Sequence, residues 1–125
     1  MTGIAGRFFA SAIIYIILGM TLGLVMGMTQ DHAQMPTHAH ILVIGWVTFA
    51  IYGFFYHTFP NSAVKRLANA HFWLAEISLA VLLIGLLMIF GGRPETGDPL
   101  AAAGSVGVLI STILFAVIAC PVVRS

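Results

Sequence analysis

Four long apolar runs, separated by short polar breaks, make up almost the whole of this chain. Arg7 and Asp31 bracket the first run, which carries no charge between them. A helix needs about 20 apolar residues to cross a bilayer. The runs therefore predict four membrane-spanning helices, at about residues 8–29, 37–59, 68–90 and 100–119. The breaks read as turns. Thr29 to Gln34 is polar, Asn61 to Leu67 carries Lys65 and Arg66, and residues 91–99 are dense in Gly and Pro. Pro36 suits the start of the second helix, where its missing N–H would be unpaired anyway. Pro60 and Pro121 are expected to stop the second and fourth helices. Short loops make neighbouring helices antiparallel. The expected fold is all-α: an integral membrane four-helix bundle forming one domain over residues 1–125.

Composition agrees with the pattern. Of the 125 residues, 60% are hydrophobic and 7% charged, against about 25% charged in a soluble domain. The lipid bilayer is thus the first expected partner. A net charge of +1 gives no basis for binding nucleic acid. The single Cys120 excludes an internal disulfide and a cysteine-built zinc site. The first run exceeds the roughly 7–15-residue core of a signal peptide and shows no small-residue cleavage site, so it is expected to be retained as a membrane helix. Arg7, Lys65, Arg66 and Arg124 fall on one side of the predicted topology. Arg93 falls on the other, with Asp31, Glu95 and Asp98. This asymmetry predicts an inner-membrane protein with both termini cytoplasmic.

Gly19, Gly23 and Gly27 form a small-residue ridge on the first helix. Such a ridge suits a close helix or subunit contact, or leaves room for a flat ligand. Gly104, Ser105, Gly107 and Ser111 are small packing positions on the fourth helix.

Candidate chemistry gathers at the mouth of the second helix, in Met35-Pro36-Thr37-His38-Ala39-His40. Ionisable groups in a membrane are costly and usually mark function. Steps of seven residues return close to the same helix face, which places Gly45 and Tyr52 below His38. A histidine above a glycine leaves a flat slot of the kind a haem needs beside an axial imidazole. An interfacial histidine bonded to water or headgroups would produce the same pattern. His40 stands two residues on and points away from His38 on a regular helix, so one helix does not easily direct both at one metal. Met28, His32 and Met35 join these histidines as a soft donor set suited to Cu(I). Methionine also simply fills apolar packing. Glu76 is the single acid of the third helix. It reads equally as a proton site or polar subunit contact and as a neutral acid bonded inside the bundle, with Asn69 on the same face. His57 and His71 flank the basic loop and are expected to anchor the interface beside lipid phosphates. His40 and His57 lie about 25 Å apart along a helix and cannot serve one site.

Pro36-Thr37-His38-Ala39-His40-Ile41 and the aromatic run ending Phe55-Tyr56 resemble the second helix of the haem–copper oxidase catalytic subunit. Phe72-Trp73-Leu74 resembles a segment near the start of that family's third helix, and Leu18-Gly19-Met20 with Gly23-Leu24 resembles its first. The whole chain is similar to small four-helix, subunit-I-like bacterial membrane proteins. The resemblance implies that His38 is an axial ligand of a low-spin haem b. Met35 stands where the family has an arginine. Only four helices are predicted, so the resemblance implies no complete oxygen- or nitric-oxide-reducing centre in one subunit, and it leans away from an enzyme. The family's approximate threefold symmetry of four-helix arcs implies a homo-oligomer, a homotrimer in particular. The expected function is b-type haem binding through His38, assisted by His40, Gly45 and Tyr52, for electron transfer or haem or gas sensing. A copper-binding protein and a cofactor-free structural or assembly subunit stand as alternatives.

Overall fold

The computed structural model describes residues 1–125 and is helical almost throughout. Four helices are long and apolar enough to cross a membrane: α1 (Gly3–Thr29), α2 (Met35–Thr58), α3 (Lys65–Phe90) and α4 (Pro94–Arg124). They hold 24 to 31 residues each. At about 1.5 Å per residue, even α2 exceeds the ~30 Å of a hydrocarbon core. The expected all-α four-helix membrane bundle is what the chain forms.

All four helices begin before their predicted starts, and α4 also runs past its predicted end. It begins at Pro94 and carries Pro99 and Pro121 inside. The Gly- and Pro-rich stretch is therefore a turn only as far as Arg93. Pro94 occupies the first turn, where a missing N–H costs nothing. Pro99 lies close behind it, and the carbonyl it leaves free belongs to the first turn as well. Pro121 removes one bond from the last turn, and the helix runs on to Arg124. The first turn after α1 closes on Gln30, whose backbone is left-handed (φ 60°) and whose N–H donates to the Met26 carbonyl at 2.9 Å. Gln34 then ties this loop to the far end of α3, donating to the Leu87 carbonyl at 3.0 Å.

α3 and α4 form the most extensive pair. The buried residues of α4 are Gly97, Gly104, Ser111 and Ile118, one every seventh position. A seven-residue repeat keeps a single seam facing a partner helix. Along that seam the backbones nearly touch. A Cβ on Gly104 would strike the Leu82 backbone, one on Gly97 the Gly85 carbonyl, and one on Gly107 the Ser78 hydroxyl. In lipid no hydrophobic force drives helices together, so close backbone packing does.

The Gly19–Gly23–Gly27 ridge of α1 works differently. Gly19 receives the side chains of Leu42 and Ile41, Gly23 receives the His38 ring, and Gly27 faces open space. The ridge is a set of side-chain seats for α2 rather than a close backbone crossing.

The middle of α2, Ile41–Thr48, is a π-helix. Its turns hold more residues than an α-turn, so the seven-residue register slips. Gly45 still faces α1, and the next glycine to meet that helix is Gly53, against the backbone of Ala5 and Phe9, while Tyr52 meets α1 through the Phe8 ring. Tyr52 turns into an aromatic core centred on Phe8, which is fully buried. Phe8 meets Phe49, Tyr52 and Phe72 edge-on and stacks on Tyr56. Edge-to-face pairs of this kind add to the stabilisation from burial itself.

Candidate functional site

The polar groups of the bundle sit at three depths. At the α2 N-terminus stands His38. Its Nδ1 lies 2.8 Å from the Gly19 carbonyl of α1. A carbonyl only accepts, so Nδ1 carries a proton, and in the neutral ring the free electron pair is on Nε2. The ring can come this close because Gly23 has no Cβ, which would stand 2.7 Å from Cε1. His40 donates from Nδ1 to the Pro36 carbonyl of its own helix at 2.7 Å. The two neighbouring rings thus have different partners, as their spacing predicts. His32 donates from Nδ1 to the Gln30 carbonyl at 3.2 Å, in the exposed loop.

Seven residues beyond His38 along α2, Gly45 makes room for Tyr15 of α1. A Cβ on Gly45 would stand 2.6 Å from the Tyr15 ring. The flat slot expected beside Gly45 is therefore filled by Tyr15. The Tyr15 hydroxyl donates to Glu76 Oε1 of α3 at 2.8 Å, while Oε2 is buried without a partner. Asn69 is not part of this group. It accepts from Arg7 Nη1 at 3.1 Å, at the basic end of the bundle.

The third depth holds His71, and its place overturns the interfacial reading. It is fully buried, packed among Phe8, Tyr52, Tyr56 and Phe115. Its Nδ1 lies 2.8 Å from the Tyr56 hydroxyl and shares one hydrogen with it. Its Nε2 is buried and unpartnered. A bare buried ring nitrogen costs about 1–3 kcal/mol, so this imidazole is held there by packing on every side. His57, in contrast, is exposed near the end of α2.

Sequence reasoning missed Tyr15 and the Tyr56–His71 pair. A signal was present for Tyr15, the only aromatic hydroxyl in α1. A tyrosine deep in an apolar helix needs a partner for its hydroxyl, and Glu76 is the only acid of α3.

The donor chemistry for haem is met at His38 and the expected cavity is not. An imidazole whose Nδ1–H is held by a carbonyl, with Nε2 free, is the usual arrangement of a metal-ligating histidine. Gly45 and Tyr52, however, belong to the packing of α2 against α1 and the aromatic core. No three His, Cys, Asp or Glu side chains gather in the bundle. Met28 and Met35 of the copper alternative are both exposed.

No protein-family model matches this chain, and no solved structure matches it. It is similar to "Cytochrome c oxidase polypeptide 1" of Halobacterium salinarum, with 31% identity over 128 residues. The match takes in 90% of this chain and 20% of that protein, so the chain spans about a fifth of the relative's length. The likeness marks a distant relationship to the oxidase subunit and fits a multi-pass protein of a bacterial or archaeal membrane.

Proposed function

We propose that this chain binds b-type haem at the N-terminal end of α2 and serves electron transfer or haem or gas sensing. The observation that carries the reading is the Gly19-held His38 ring, with Nδ1–H engaged at 2.8 Å and Nε2 left free. The distant likeness to an oxidase subunit supports it. His38 would hold the iron through Nε2, and the bound group would supply a one-electron couple. The protein's part is orientation. The Gly19 carbonyl fixes the tautomer of His38, and the missing Cβ of Gly23 fixes the seat of its ring. His40 stands nearby as an assisting group, with its own Nδ1 held by Pro36. The resemblance further supports a homotrimer, in which a neighbouring copy could complete the coordination.

The test is an absorption spectrum of the detergent-purified protein, oxidised and dithionite-reduced. A sharp reduced α band and a red-shifted Soret band are expected. His38→Ala should remove both while the helical circular dichroism persists. A featureless spectrum after haem supplementation overturns the reading. Bound copper in that colourless preparation would put the copper alternative in its place.

A further inference from the structure

At the basic end of the bundle, far from His38, α1, α2 and α3 leave an open cleft of about 650 Å³. Arg7 of α1, Lys65 and Asn69 of α3 and Tyr56 of α2 contribute to its wall. No carboxylate does. Arg7 reaches across to Asn69, its Nη1 donating to Oδ1 at 3.1 Å, which holds the guanidinium between α1 and α3. Lys65 and Asn69 are four residues apart and share one helix face. Both α1 and α3 also begin here, and neither has a capping side chain or an acid in its first turn. Their first N–H groups are donors without an intrahelical partner. The cleft is thus lined by two cations, by spare donors and by the polar side chains of Thr2 and Asn61, among apolar residues.

We infer that this cleft binds a phosphate anion, of the kind carried by an anionic lipid headgroup or by free phosphate. Arg7 pairs with the phosphate oxygens through its planar fork, and Lys65 of α3 supplies a second positive charge. The cavity lies within the roughly 300–1,000 Å³ usual for small-molecule sites, so it has room for a headgroup with its glycerol. It opens at the helix ends, the level at which lipid phosphates stand. The inference is independent of haem binding.

The experiment is native mass spectrometry of the full chain in detergent. The protein is titrated with phosphatidylglycerol or phosphatidylcholine, with and without excess inorganic phosphate. Wild-type protein is expected to retain one phosphatidylglycerol in preference to phosphatidylcholine, or to bind inorganic phosphate. The double variant Arg7→Gln/Lys65→Gln should lose about tenfold or more in that retention, from two cations each worth about a factor of five. Arg93→Gln, at the opposite end, should lose nothing. Displacement of the lipid by inorganic phosphate would assign the site to free phosphate, and persistence of the lipid would assign it to the headgroup. Equal retention by wild type and double variant overturns the proposal, as does the absence of both lipid preference and phosphate binding. Should the double variant fail to keep its helical circular dichroism, Lys65→Gln alone, at an exposed position, is read instead, with an expected loss of about fivefold and overturning at no loss.

Discussion

His71 shows how far a single side chain can depart from what its neighbours in sequence suggest. It stands six residues after Lys65, which reads as an interfacial position, yet it is fully buried. The reason is the tertiary partner. Tyr56 faces it from another helix at 2.8 Å, and Phe8 covers the pair. Neither contact leaves a mark in local spacing. Tyr56→Phe should therefore cost about 1–3 kcal/mol, since both ring nitrogens of His71 would then be buried without partners. His71→Leu in the same chain should recover much of that loss, because removing both polar partners is far less costly than removing one. Unfolding of the two single variants and the double variant, followed by circular dichroism in detergent, measures the coupling. Additive losses would show that the hydrogen bond contributes nothing. That His38 stands at the N-terminal end of α2 is legible from Pro36 and the apolar run that follows it. What was not legible was the Gly19 carbonyl that fixes its proton, because that bond joins two helices.

At the scale of elements, apolar run length located all four spans, and small residues marked where two helices touch. The sequence could not say which small residues meet backbone and which meet side chains. Gly104 and Gly27 show the difference. A Cβ at Gly104 would collide with the Leu82 backbone, whereas Gly27 has nothing within 4 Å. Gly104→Ala should force α3 and α4 apart and cost about 1–3 kcal/mol, as overpacked positions do. Gly27→Ala should be neutral or stabilising by up to about 1 kcal/mol, from its better helix propensity. Thermal unfolding of the two variants in one detergent compares them directly. Equal destabilisation would show that the α3–α4 seam is not the close contact. The ends of α4 lie beyond those its prolines predict. Near a helix end the missing N–H of proline removes little, so Pro99 and Pro121 lie inside.

For the whole molecule, the distribution of Lys and Arg gives an expected topology that contacts within the bundle do not fix. Arg7, Lys65, Arg66 and Arg124 all lie at one end. A reporter that is active only in the cytoplasm, fused after Ser125, should be active, and one fused at Gly92 inactive. The opposite pattern would reverse the bundle in the membrane and move His38 to the cytoplasmic face. The π-helical stretch of α2 bears on the descent of the molecule as well as on its shape. Between His38 and Gly53 the helix carries one residue more than a regular α-helical stripe would need, and the wide turns of Ile41–Thr48 take it up. A lineage could lose one residue there and close the stretch to ordinary α-helix. His38 would keep its seat on Gly23, and Gly53 would keep its place against Ala5. Chain length is negotiable in this segment in a way that it is not along the α3–α4 seam, where a single deletion would turn every glycine after it off the contact.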